Sequence, residues 1–372
     1  MPLESSLGLT LTFFSALFGA CVGSFLNVCI YRLPREGLSP TRPRRSFCPS
    51  CGEEIAWYDN LPILSWLLLG GRCRSCRAPI RWRYLLVEAM TAILFLFLAR
   101  RYLCGQEISW GAYLALAALV SALIVAAFID LDLQIIPDEI TLPGMALAPL
   151  VALLVPDFHT RPVDSTISRL LISVKAHLDP LSLALPEALR HGALSVIAVS
   201  VAAVFFFFAG VLGYAGYWRI AHAENRRPLS AGYLGGVLVG AAGGMAALNF
   251  LQPEILLTPP AYSFWSALAG MLAGSVSVFM VGVFGSKLFR KPAMGFGDVK
   301  LMGLLGAFTG WVGVLAGFFI ACFLGALVGI VIFLKYRSRY VPFGPFLAAG
   351  ALFMIFWPES FHRLLAWYLG LF

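Results

Sequence analysis

Two long stretches without Asp, Glu, Lys or Arg constrain this chain before anything else does. Leu7 to Ile30 runs 24 residues in this way, and Leu301 to Leu334 runs 34. A helix needs roughly 20 apolar residues to cross a bilayer. It can do so because it satisfies its own backbone hydrogen bonds. The composition agrees: 60% of the 372 residues are hydrophobic and 12% charged, against about a quarter charged in a soluble domain. The expected fold is all-α, a polytopic membrane bundle of about 8–10 transmembrane helices.

The expected spans are Leu7–Ile30, Tyr84–Leu103, Trp110–Ile129, Ile140–Val155, Ala193–Tyr217, Gly232–Leu251 and Phe264–Gly285, with a last one at Phe346–Leu369. Leu301–Leu334 is too long for one span and is split near Thr309–Gly313. The opening residues, MPLESSLG, lack a basic region, so the first apolar run reads as a retained span and not a cleaved signal.

The net charge of +8 reads as a topology signal. Basic residues cluster in short loops, as the positive-inside rule requires. Tyr31–Arg83 alone holds ten arginines. Placing that segment in the cytoplasm puts the other basic loops there too and the N-terminus outside. The arginines suit anionic lipid headgroups, and no nucleic acid is expected. None of the five histidines has metal-ligand spacing.

The same segment carries Cys48, Cys51, Cys73 and Cys76 as two C-x-x-C pairs. That spacing suits a tetrahedral Zn²⁺ with four thiolates, a closed site that is structural and not catalytic. The expectation is a small cytoplasmic four-cysteine segment resembling a zinc ribbon. The reducing cytoplasm disfavours the alternative of two disulfides.

Carboxylates at the edge of a membrane are costly and functional by default. One cluster is FIDLDLQIIPDEITLP, with Asp130, Asp132, Asp138 and Glu139. The other is GFGDVK, with Asp298 behind Gly295 and Gly297. Both fall at the cytoplasmic edge of the expected topology. Two carboxylates brought together do not both ionise easily, so one serves as acid and the other as base. Such a pair can activate water against a peptide carbonyl without metal or covalent intermediate. The two glycines would let a peptide backbone approach. Asp298 and Asp138 also suit helix capping, and paired carboxylates could equally couple protons in a transporter.

At these residues the chain resembles the type IV prepilin peptidases, which also methylate the new N-terminus and share a G-x-G-D site with presenilin-type peptidases. GACVGSFLNVCIYRLP resembles that family's first span, and FCPSCGEEIAWYDNLPILSWLLLGGRCRSCRAPIRWRYLLVE its cytoplasmic segment. DLDLQIIPDEITLP and MGFGDVKLMGLLGAFTGW resemble its aspartate motifs, and VPFGPFLAAGAL its C-terminal motif. The resemblance implies Asp130 and Asp298 as catalytic aspartates, with Asp132 the rival to Asp130. It implies cleavage of prepilin or type II secretion pseudopilin leaders after glycine, in the inner membrane with the site facing the cytoplasm. It also implies N-methylation with S-adenosylmethionine as donor, for which Gly71 and Glu88 are the candidates. Glu88 could instead snorkel or pair with Arg81 or Arg83.

The expected division is residues 1–108 as the methyltransferase-associated region and 109–156 as the first part of the peptidase core. Residues 157–262 form an insertion with two extra spans, and 263–372 the second part of the core. An even number of inserted spans leaves Asp298 on the same side as Asp130.

Overall fold

The computed structural model describes residues 2–35, 37–42, 45–104, 109–155, 259–290, 294–336, 341–361 and 363. The expected insertion, with its spans at 193–217 and 232–251, lies outside the described residues except for 259–262, which open a helix. The described residues hold no strands, and their α-helices include α1 (Pro2–Arg32), α2 (Leu64–Leu68), α3 (Arg83–Tyr102), α4 (Trp110–Leu133), α5 (Asp138–Leu154), α6 (Pro259–Phe289), α7 (Phe296–Tyr336) and α8 (Gly344–Phe356). Four stretches, Ser6–Arg32, Trp110–Leu133, Ser263–Leu288 and Phe296–Lys335, are long and apolar enough to cross a membrane. The expected second span is α3, which has the length but carries Arg83, Glu88, Arg100 and Arg101.

The chain divides into two compact units: Met1–Ile140 with Ala321–Leu352, and Thr141–Ile320 with Phe353–Phe372. In the first, α1 lies against α3 so closely that a Cβ at Gly19 would sit 2.7 Å from Phe95 Cβ, and one at Gly23 2.8 Å from Glu88 Cα. Small residues permit such approach where burial between apolar helices gives no driving force of its own. Polar groups lock the contact. Ser15 Oγ donates to the Phe95 carbonyl at 2.8 Å and lies 2.6 Å from the Tyr113 hydroxyl on α4. Asn27 Nδ2 donates to the Tyr84 carbonyl at 3.0 Å.

α4 starts where Ser109 Oγ accepts from the Ala112 N–H, a side-chain N-cap. It stops at Gln134, whose left-handed φ of 56° turns the chain while its N–H still bonds the Asp130 carbonyl. That C-terminus delivers Asp130 and Asp132. At the end of α1, buried Arg32 donates to the carbonyls of Ser39, Pro40 and Arg45, folding the loop entrance around one guanidinium.

In the second unit α6 and α7 share a glycine seam. A Cβ on Gly270 would overlap the Gly306 carbonyl, one on Gly306 the Gly270 carbonyl, and one on Gly274 the Met302 carbonyl. Ser275 Oγ donates to the Val299 carbonyl at 3.3 Å across the same seam. The seam fixes the first turns of α7, which carry Asp298. The expected split of the long apolar run falls at Gly310, where φ 71° and ψ 174° interrupt the helix.

Candidate active site and metal centre

Asp130 and Asp132 are two residues apart on α4 and meet different surroundings, as helical geometry requires. Asp132 is exposed and forms an ion pair with Arg83 at the start of α3. Asp130 is 6% exposed. Its Oδ2 accepts the Gly344 N–H at 2.8 Å from the first residue of α8. The N-terminal end of a helix favours a carboxylate there, because its unpaired N–H groups carry partial positive charge. VPFGP supplies this end: Gly344 opens the helix and Pro345 follows in the first turn, where its missing N–H costs nothing.

Asp298 lies in the second unit, third in α7 and so inside its first turn, not at the capping position before it. Its N–H bonds the Gly295 carbonyl at 3.2 Å. A Cβ on Gly295 would stand 3.4 Å from Asp298 Oδ2. Gly295 is exposed. Gly297 is the second residue of the helix. Lys300, one turn in, is buried with its Nζ 5.4 Å from the centre of the Phe296 ring.

The four expected metal ligands come together: the Sγ atoms of Cys48, Cys51, Cys73 and Cys76 all lie within 4.8 Å of one another. Two matching turns bring this about. In the first, the Gly52 N–H bonds the Cys48 carbonyl at 2.8 Å and the Cys48 N–H bonds the Glu53 carbonyl at 2.9 Å. In the second, the Arg77 N–H bonds the Cys73 carbonyl at 3.1 Å and the Cys73 N–H bonds the Ala78 carbonyl at 2.9 Å. Gly52 and Arg77 both take positive φ, 74° and 60°.

The set fits a metal ion. A tetrahedron with metal–sulfur bonds of about 2.3 Å has edges of about 3.8 Å, and Cys48 and Cys76 Sγ are 3.8 Å apart. Burial raises the Cys48 thiol, but hydrogen bonds from the Cys51 and Ser50 backbone and the Cys51 and Cys73 thiols outweigh it and bring it to about 7. At Cys51 the Glu53 N–H lowers the thiol, while burial and the Cys76 and Cys48 sulfurs prevail and push it up to about 12. A bound cation would favour the thiolate at all four sulfurs.

Gly71 and Glu88 sit at opposite ends of the α2 segment. Glu88 is buried and does not pair with Arg81 or Arg83; its Oε2 accepts the Ile63 N–H at 2.7 Å, and Ser24 hydrogen-bonds the same carboxylate. Ile63, at φ 65° and ψ −52°, is the centre of a strained γ-turn closed by the Leu64 N–H on the Pro62 carbonyl at 2.6 Å. At the other end Gly71 has φ 66°, and a Cβ there would meet the Trp66 ring at 2.8 Å. Its N–H bonds the Trp66 carbonyl, and its carbonyl accepts from Ile80. Sequence reasoning singled out none of Ser24, Ile63 and Gly344, although each lies within a stretch that carries the family resemblance.

Comparison with known proteins adds to this geometry. Residues 17–102 match the Bacterial Peptidase A24 N-terminal domain, and residues 233–330 match the Type IV leader peptidase family. The first match holds the four cysteines, Gly71 and Glu88; the second holds Gly295, Gly297 and Asp298.

The chain resembles the type IV leader peptidases along nearly its whole length.

Among its relatives is a Myxococcus xanthus prepilin leader peptidase/N-methyltransferase, 50% identical over 133 residues, or 36% of this chain and 37% of that protein. An Aeromonas hydrophila protein of the same name is 28% identical over 394 aligned residues, covering 99% of this chain and 97% of its own. A Pseudomonas putida one is 27% identical, covering 94% and 91%. Asp130 lies outside both matched domains but within the stretch aligned with the Aeromonas protein. No solved structure matches.

Proposed function

We propose that this chain is a membrane-embedded aspartyl endopeptidase. It removes the leader of type IV prepilins or type II secretion pseudopilins after glycine and then methylates the new N-terminus. The observation that carries the reading is the pair of domain matches, which bracket the cysteine cluster at one end and the GFGD turn at the other.

Asp130 and Asp298 are assigned as the catalytic pair. Asp130 is favoured over Asp132 because Asp132 is held by Arg83, whereas Asp130 is buried with Oδ2 already accepting a hydrogen bond. Oδ2 is therefore an acceptor, and a proton on this carboxyl resides on Oδ1. One aspartate draws a proton from water as it attacks the scissile carbonyl, and the other gives a proton to the leaving nitrogen. Gly295 and Gly297 admit the substrate backbone beside Asp298.

The four cysteines hold Zn²⁺, which shapes the loop and takes no part in cleavage. Methyl transfer from S-adenosylmethionine belongs to residues 1–108, with Gly71 and Glu88 fixing the two ends of α2. Residues 109–156 and 263–372 form the peptidase core around the insertion. The protein resides in the inner membrane with both activities facing the cytoplasm. The loop before α3 rests on the lipid surface: Leu68 is 84% exposed and Trp57 79%, beside exposed Arg72, Arg77 and Arg81. Aromatic and basic side chains together favour that interface.

Mass spectrometry of a prepilin incubated with the purified protein tests this. Loss of the leader, with one further methyl mass when S-adenosylmethionine is present, is expected. An intact prepilin would overturn the reading, and cleavage without methylation would remove its second half.

A further inference from the structure

Gly344 is 214 residues from Asp130 in sequence, yet its N–H meets Asp130 Oδ2 at 2.8 Å in a buried contact. The approach leaves no room for a side chain. A Cβ on Gly344 would stand 2.7 Å from Oδ2, 3.1 Å from Cγ and 3.3 Å from Cβ of Asp130. The φ of Gly344 is not in the left-handed region, so no backbone strain calls for glycine here. What calls for it is the carboxylate.

From this contact we infer that Gly344 is a positioning residue for Asp130, seating the carboxylate so that Oδ1 faces the reacting atoms. The inference rests on the reading of Asp130 as catalytic. Three features of VPFGPF converge on it. Phe343 and Phe346 pack with ring centres 6.4 Å apart, and a Cβ on Gly325 of α7 would meet Phe343 at 3.4 Å and Phe346 at 3.6 Å. These contacts seat the turn. The Phe346 and Leu347 N–H groups both bond the Phe343 carbonyl, at 3.0 and 3.1 Å, closing the first turn of α8. The Gly344 N–H is thereby left pointing out of the helix end, and Asp130 Oδ2 takes it. The carboxylate is fixed on one oxygen by a rigid element, which holds its reach to within the fraction of an ångström that catalysis requires.

The test compares Gly344→Ala with the wild type in leader cleavage, methyl transfer to a pre-cleaved pilin, and thermal unfolding in detergent. The inference predicts that kcat for cleavage falls about 100-fold, as for a misplacement of about 1 Å. KM stays within about twofold, the acid limb of the pH–rate profile moves, and methyl transfer persists. It further predicts that Gly344→Ala lowers Tm more in the wild-type background than in an Asp130→Ala background, where the obstructing carboxylate is gone and only the Cβ contact at 3.3 Å remains. The Tm comparison reads the contact even if the single variant folds poorly. Wild-type kcat and pH profile, or the same Tm loss in both backgrounds, would overturn it. Normal cleavage by Asp130→Asn would instead sink the functional reading itself, whatever Gly344→Ala does.

Discussion

Glu88 accepts the Ile63 N–H at 2.7 Å, and that N–H belongs to a residue held at φ 65° and ψ −52°. A buried carboxylate on α3 thus holds the strained turn from which α2 begins. Such strain persists only where the surroundings over-determine it. Glu88→Ala leaves the Ile63 N–H unpaired, at a cost of about 1–3 kcal/mol if it stays buried. We expect faster amide exchange over Ile63–Leu68 and loss of methyl transfer, with leader cleavage retained. Unchanged exchange would show that the turn does not depend on Glu88.

The paired cysteine turns give an asymmetric prediction. Gly52 and Arg77 occupy the same left-handed position, where a side chain costs about 1–2 kcal/mol. Gly52→Ala should therefore loosen the loop, whereas Arg77→Gly should not. Metal analysis of the purified protein should find one zinc per chain, lost in Cys73→Ser together with protease resistance of residues 45–81. Full resistance without metal would contradict a structural role.

The glycine seam between α6 and α7 makes a third test. Gly306→Ala drives a methyl into the Gly270 carbonyl, and overpacking of this kind costs about 1–3 kcal/mol. The variant should unfold at lower temperature in detergent and cleave more slowly, since the seam holds the first turns of α7. Equal Tm would mean that the helices pack less closely than described.

The loop also carries a pH-dependent tie. Arg74 grips Asp59 with two hydrogen bonds, Nε to Oδ2 at 2.7 Å and Nη2 to Oδ1 at 2.6 Å. The Arg74 hydrogen bonds hold the Asp59 carboxyl below its usual range, against the opposing effect of burial. A folded-state value below the unfolded one means that the stabilisation is complete at neutral pH. It is lost as pH falls through the folded value, below about pH 4. Arg74 is 59% exposed, so solvent screening keeps the effect small. Asp59→Asn should lower loop stability slightly at pH 7 and leave it unchanged at the acid end. A difference that grows with acid would contradict the pairing.

Much of this was legible in the sequence, and the reasons are particular. The cysteine cluster follows from two C-x-x-C pairs, because a four-thiolate site is specified by local turns. The break at Gly310 follows from length, because 34 uncharged residues exceed one bilayer crossing. The partner of Glu88 was not legible. Sequence reading pairs a carboxylate with the nearest arginines, whereas the structure gives it a backbone N–H that no residue type announces. The Gly344 contact was hidden for the same reason, as backbone donors 214 positions away leave no trace in composition or spacing. The resemblance favours Asp130 with Asp132 as its rival, but the partner that separates them, Arg83 on Asp132, lies 49 positions away and leaves no mark in the motif.

The most direct test of the central claim is leader cleavage by three variants, Asp130→Asn, Asp132→Asn and Asp298→Asn, each purified and checked for methyl transfer to a pre-cleaved pilin. The account predicts that Asp130→Asn and Asp298→Asn lose cleavage by at least about 1,000-fold, a loss at the scale of general acid–base catalysis, while still methylating. Asp132→Asn should cleave within a few-fold of wild type. Wild-type cleavage by either Asp130→Asn or Asp298→Asn would contradict the assignment of the pair.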